Sequence, residues 1–189
     1  MTAGHSVSLP TLAAPPILIR PWLEGDVESC LRGCADKLVQ ALTSMPDPHE
    51  PTVARWISTR QSQSIEGRSS FVAIATADGK SILGSIGIIG FEWKHARAEV
   101  GYWLLPEQRG RGFATLALKA YSAWIFDTLP IERIDLFASQ GNLASMEVAK
   151  RCGYTYEGLL RSFRIYSGNR ESLETFSLLR SDDLTAIIS

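Results

Sequence analysis

The chain has 189 residues, 45% hydrophobic and 21% charged, with a formal net charge of −1. That is enough polypeptide for a sizeable core in one domain, and the balanced charge lacks the long-range field expected of a nucleic-acid or anionic-membrane binder. No apolar stretch nears the roughly 20 residues of a membrane helix, and the opening MTAGHSVSLPTLAAPP has no basic segment followed by an apolar one, so a cytoplasmic protein without a membrane partner is expected.

Residues 1–15 are polar and aperiodic and read as a flexible tail, followed by a single domain over 16–189. Ile17-Leu18-Ile19-Arg20 reads as the first strand. Glu24 to Gly33 is amphipathic, with Val27, Cys30, Leu31 and Cys34 at helical spacing. Pro46 to Pro51 is a loop. Thr52 to Ile65 reads as one helix, with Val53, Trp56, Ile57 and Arg60 on neighbouring turns. Phe71–Ala75, Ile82–Phe91 and Ala98–Leu105 form an antiparallel meander, its first turn marked by Asp78-Gly79. Glycines 84, 87 and 90 in the second strand suggest a bulge or a close backbone approach.

Phe113 to Leu129 has apolar residues at a clear 3.6-residue period, stopped by Pro130. Ile131–Ser139 is a strand. A helix from about Asn142 to Cys152 is closed by Gly153. Two strands near 154–166 and 172–179 end the pattern, joined by a turn at 167–169. The order argues for one α+β domain around a mixed sheet. Cys30, Cys34 and Cys152 have no second metal-ligating pair near them and read as buried free thiols, with no metal site.

The stretch Pro106-Glu107-Gln108-Arg109-Gly110-Arg111-Gly112-Phe113-Ala114 stands where a strand turns into the long helix. A helix begins with N–H groups that have no partner within it, at the positive end of its dipole. Gly110 and Gly112 would let an anion approach the backbone, and Arg109 and Arg111 add charge, so a phosphate or pyrophosphate suits the turn. A plain strand-to-helix turn with glycines for geometry accounts for the same residues. No G-x-x-x-x-G-K-[ST] occurs, and Thr115 stands where a dinucleotide fingerprint needs its third glycine.

Arg109-x-x-Gly112-x-Ala114 matches the R/Q-x-x-G-x-G/A signature of GNAT acetyltransferases. AEVGYWLLPEQRGRGFATLALKA, NLASMEVAKRCGYTYEGLLR and GNRESLETFSLLRSD resemble, in order, three segments of the RimJ/RimL-type branch and span 98–183. The resemblance implies the GNAT fold: about seven mostly antiparallel strands, splayed between the fourth (about 98–105) and fifth (about 131–139), with about four helices. It implies acetyl-CoA as co-substrate, held by Leu104, Arg109, Gly110, Arg111, Gly112, Phe113, Ala114, Asn142 and Ser145. The expected partners are a CoA thioester and an amine acceptor, a protein N-terminus or a small amine, with no nucleic acid; the branch often forms homodimers.

Transfer to an amine needs a base, donors for the oxyanion and a proton for the leaving thiolate. Glu99 stands at the position of the acidic residue some of these enzymes use as base; a strand glutamate paired with Arg97 is the structural alternative. Asn142 is expected to bind the pantetheine amide, to cap its helix, or both. Ser145 is expected to stabilise or protonate the leaving sulfur, or to bond locally in the first turn. Two departures stand out. Ala149 occupies the place where many members have an acidic tyrosine, and Leu116 the place where this branch commonly has a glutamate. Tyr102 and Trp22, Trp56, Trp93 and Trp103 divide between core and acceptor pocket. Two other functions fit the same residues: a non-catalytic acyl-CoA-binding module, and a transferase of a larger acyl group such as succinyl.

Overall fold

The structure is a computed structural model and describes residues 6–43, 45–166 and 168–185. Its strands are β1 (Leu12–Ala14), β2 (Ile17–Arg20), β3 (Ser70–Thr76), β4 (Ile82–Glu92), β5 (Arg97–Leu104), β6 (Arg133–Ser139), β7 (Thr155–Tyr166) and β8 (Asn169–Leu179). They form one sheet in the order β1-β2-β3-β4-β5-β6-β8-β7. Every neighbouring pair is antiparallel except β5 and β6. The helices are α1 (Val27–Ala35), α2 (Lys37–Leu42), α3 (Glu50–Ser58), α4 (Arg60–Ile65), α5 (Phe113–Thr128) and α6 (Leu143–Arg151).

The mixed α+β architecture matches the expectation, with two corrections. The first concerns the tail. Residues 6–14 are attached to the domain: Val7 is buried, its N–H donates to the Ser64 carbonyl, and the Ser64 hydroxyl donates to the Val7 carbonyl. Leu12–Ala14 then pairs with Ile17–Ile19. This short hairpin adds an eighth strand. Its shortness hid it, because a three-residue edge strand has no measurable periodicity. The expectation for residues 1–5 lies outside the described residues.

The second correction is the helix expected over 52–65, which divides at Thr59 into α3 and α4. The hydroxyls of Ser58, Thr59 and Ser62 donate to carbonyls in the preceding turn, a competition that favours helix ends over interiors. Helix α2 was not expected; Asp36 nucleates it by accepting from the Val39 N–H. The end of α6 follows expectation: Gly153 has φ of 80°, and the next N–H, of Tyr154, reaches back to the Ala149 carbonyl.

Strand alternation assigns the two sheet faces. Ile17, Ile19, Val72 and Ile74 point to the side covered by α5, where Leu118, Tyr121 and Ile125 complete the main core. Ala73 and Ala75 point the other way, toward Cys30 and Cys34 of α1, Val53 and Ile57 of α3, and Trp103. The three cysteines are buried and free, as expected. A Cβ at Gly33 would lie 2.4 Å from the Trp103 ring, so glycine there is what allows α1 to lie against β5. Two buried carboxylates, Asp26 and Asp135, are held by arginines. Arg20 holds Asp26 bidentately at 2.7 and 2.9 Å. Asp135 sits between Arg133, at 2.7 Å, and Arg97, at 3.4 Å.

Candidate active site

The sheet opens between its two parallel strands. Pairing of β5 with β6 runs from Arg97↔Arg133 to Val100↔Leu136 and ends there, although β5 continues to Leu104 and β6 to Ser139. On their outer sides both strands stay paired, β5 with β4 to Leu104 and β6 with β8 to Ser139. The inner edges of Gly101–Leu104 and Phe137–Ser139 therefore leave backbone N–H and C=O groups without a sheet partner, facing a cavity of about 510 Å³. Glu99, Tyr102, Arg109, Gly110, Asn142 and Ser145 all line it.

At one end lies the glycine loop. Gly110 and Gly112 have φ of 73° and 83°, a region open to glycine at little cost. A Cβ built on either meets nothing within 4 Å, so both face open space. Gly112 is the N-cap of α5 and supplies no side-chain acceptor to the leading N–H groups. The turn thus has the free donors and dipole end that suit an anion. Arg109 is held away from free rotation: its Nε donates to the Leu104 carbonyl at 3.2 Å, and its Nη2 meets Asp36 at 2.5 Å. That ion pair, with burial opposing it, leaves the Asp36 carboxyl below its usual range. Arg111 is exposed, bonded to Gln108 at 2.7 Å and lying over the Phe113 ring. Phe113, Ala114 and Leu104 are largely buried, and Leu104 and Ala114 line the cavity.

At the other end is Glu99. Its side chain forms no hydrogen bond or ion pair with any described residue; Arg97 pairs instead with Glu92 and Asp135. Burial pushes the Glu99 carboxyl above its ordinary value, with Arg164 opposing. A bulge on β4 stands opposite: the register slips between Ile88 and Gly90, where Ile88 faces Val100 and Gly90 faces Glu99. Between the two ends, the Tyr102 hydroxyl lies 3.1 Å from the Ser145 hydroxyl. Asn142 caps α6 by accepting from the Ser145 N–H at 3.2 Å.

Residues 17–155 match the family model described as acetyltransferase (GNAT) domain, well over half of the chain. The chain belongs to the GNAT acetyltransferase family. YoaA, an uncharacterized N-acetyltransferase of Bacillus subtilis, is 30% identical over 107 residues, covering 57% of this chain and 60% of that protein. The spermidine N(1)-acetyltransferase of Escherichia coli is 25% identical over 174 residues, 92% of this chain and 86% of that one. Among solved structures, RimL, the ribosomal L7/L12 alpha-N-protein acetyltransferase in complex with coenzyme A, superposes with a TM-score of 0.80. It does so at 18% identity over 92% of this chain and 100% of that chain, a likeness of fold.

Set on the GNAT frame, the expected site residues fall at one cavity or on the loop at its mouth. Ala149 is fully buried in the main core, so a tyrosine side chain has no room there. The hydroxyl beside Ser145 comes instead from Tyr102, on β5 rather than α6. Sequence reading placed Tyr102 among the aromatics without finding this contact, since the two residues are 43 apart. Leu116 packs against the core, so its departure from the branch pattern is a helix contact. Of the tryptophans, Trp56 and Trp103 reach the cavity and Trp22 is core. Arg60 also lines the cavity. Its signal was visible in the sequence as a charge on the apolar stripe of Val53, Trp56 and Ile57.

Proposed function

We propose that the protein is an acetyl-CoA-dependent N-acetyltransferase that moves an acetyl group to a primary amine by direct attack in a ternary complex. The observation that carries this reading is the single cavity joining the glycine loop, the parted edges of β5 and β6, and the half-buried carboxyl of Glu99. Acetyl-CoA supplies an activated thioester. The N–H groups at the start of α5 and the Gly110–Gly112 turn hold the pyrophosphate. The inner edges of β5 and β6, with Asn142, take the pantetheine amides. Glu99 accepts the proton from the attacking ammonium or amine, directly or through a water. As the C–N bond forms and the C–S bond breaks, Ser145 donates its proton to the sulfur, and Tyr102 re-supplies or supports that hydroxyl. Arg109, already committed to Asp36, sets the shape of the loop. The exposed Phe163 and Ile165 on the edge strand β7 support the expected homodimer.

A thiol-release assay with acetyl-CoA over a panel of peptide N-termini, amino acids and polyamines tests the reading. Release that requires an amine supports it. Tight CoA binding with no amine-dependent release across the panel makes the protein a non-catalytic acyl-CoA binder. Faster release from succinyl-CoA than from acetyl-CoA moves the reading to a larger acyl group.

A further inference from the structure

Beyond Glu99 the cavity continues to a wall formed by α3 and α4, and that wall contains an uncompensated charge. Arg60 opens α4 and is only 8% exposed. Its guanidinium lies 4.3 Å over the Trp56 ring and 5.6 Å from the Phe71 ring. Nε donates to the Trp56 carbonyl at 2.8 Å, and Nη2 makes a long contact with the Thr59 hydroxyl at 3.4 Å. No carboxylate among the described residues pairs with it. The protein's comparably buried Arg20, 9% exposed, is neutralised bidentately by Asp26. The cavity's two other arginines are also matched, Arg109 by Asp36 and Arg164 by Glu171. Burial lowers the Arg60 guanidinium to about 10, which leaves it cationic at neutral pH. A lone buried charge is costly and does nothing for packing that an apolar side chain on that stripe would not do.

The sheet fixes where this charge stands relative to Glu99. Phe71 pairs with Gly87, and Gly87 with Gly101, one row across three strands. Glu99 lies two residues before Gly101 and so on the same face. At a strand spacing of about 4.8 Å and a rise of about 3.4 Å per residue, Phe71 and Glu99 are about 12 Å apart along the floor. The Phe71 side chain lies over Gly87, where a Cβ would meet it at 2.5 Å, and the Ile89 side chain over Gly101, where a Cβ would meet it at 2.8 Å. The acceptor end therefore has a proton acceptor at one side, an apolar floor, and a fixed cation at the other.

Resting on the acetyltransferase reading, we infer that the acceptor is an amine that also carries an anionic group, a carboxylate or a phosphate, across a short apolar body, and that Arg60 selects it. The amine sits at Glu99, the apolar body on Phe71 and Ile89, and the anion on the guanidinium stacked over Trp56. A polyamine would set its second cation against Arg60 and is disfavoured.

The test uses the full chain, acetyl-CoA and a matched set of amines: 6-aminohexanoate, 6-aminohexyl phosphate, hexylamine and spermidine. One of the two anionic amines should exceed hexylamine and spermidine in kcat/KM by about 30-fold, as a charge-assisted hydrogen bond implies, and the better of the two identifies the anion. Arg60→Met should reduce that preference to within about threefold, and Arg60→Lys should restore part of it. A wild type that prefers hexylamine or spermidine, or a preference that survives Arg60→Met, overturns the inference. A second readout does not depend on turnover. Calorimetry on CoA-saturated protein should show N-acetyl-6-aminohexanoate or its phosphate counterpart binding more tightly than N-acetylhexylamine, with the difference lost in Arg60→Met. If no amine turns over but this difference is present, the transferase reading fails and the anion site stands. If binding is equal or absent for all three, the anion site falls whatever the activity. Circular dichroism and melting curves confirm that each variant is folded.

Discussion

The hydroxyls of Tyr102 and Ser145 meet at 3.1 Å, one carried by β5 and the other by the first turn of α6. Each strand-to-helix connection beyond the parted edges contributes a part of the site, and this contact ties the two together across the opening. Burial raises the Tyr102 phenol to about 12, so it keeps its proton through the physiological range and is a donor.

Replacing Tyr102 by phenylalanine should lower kcat about 10-fold and leave the KM for acetyl-CoA within about twofold, because the lost group acts on the leaving sulfur and not on binding. Ser145→Ala should cost more, about 10- to 100-fold. The double variant should be no slower than Ser145→Ala, since the tyrosine works through the serine. Steady-state kinetics that give additive losses would separate the two roles.

Glu99→Gln should lower kcat/KM by about 10²- to 10⁴-fold near neutral pH, with CoA affinity unchanged. The stability effect has the opposite sign. Burial raises the Glu99 carboxyl above 4.5 in the folded state, so its ionisation opposes folding, and stability falls as pH rises through the folded value. The glutamine variant should therefore melt at the same temperature or higher at neutral pH. Activity lost together with a lowered melting temperature would make Glu99 a structural residue.

Gly112→Asp should abolish measurable CoA binding while the protein still folds. No atom beyond the adjoining residues lies within 4 Å of the new Cβ, and the strain of φ at 83° costs about 1 to 2 kcal/mol for a non-glycine residue, least for Asp and Asn. Gly112→Asn has the same shape without the charge and should keep part of the affinity. Calorimetry giving equal affinities for both variants would show that shape alone excludes the ligand, and wild-type affinity in both would remove the loop from the CoA site.

The acid limb of stability should run through Glu157. Arg133 and the Ser177 hydroxyl hold its carboxyl down from 4.5 to about 2. A depressed carboxyl stabilises the fold above its unfolded value and loses that contribution as pH falls toward the folded one, so the window is from 4.5 to about 2. The Glu157 side chain is 39% exposed, so solvent screening keeps the effect small. Glu157→Gln should be less stable than the wild type at neutral pH and should lose less on acidification. Denaturant curves at several pH values, with parallel losses in the two proteins, would assign the acid limb to other groups.

Sedimentation at micromolar concentration should show a dimer, and Ile165→Lys on the exposed face of β7 should shift it to monomer without changing the fold. A wild-type monomer would end that reading.

The sequence by itself determined the local elements and the loop. The period of 113–129 makes a helix wherever it packs, and Gly110 and Gly112 permit left-handed backbone before any tertiary contact exists. Asn142 announces a helix start because its side chain acts on an N–H three residues away. Local physics settles such features. The division of α3 from α4 is of the same kind, written in Ser58, Thr59 and Ser62, but its weak hydroxyl competition is hard to weigh against a continuous apolar stripe. What only the tertiary structure decided is which distant residues meet. Tyr102 with Ser145, Arg109 with Asp36, and the attachment of Val7 to Ser64 join residues 43, 73 and 57 apart. The parting of β5 from β6 after Val100 and Leu136 is likewise a property of the assembled sheet. Arg60 shows the boundary most plainly. The sequence placed it on an apolar stripe, but whether a carboxylate waits there depends on which elements pack around it, and among the described residues none does.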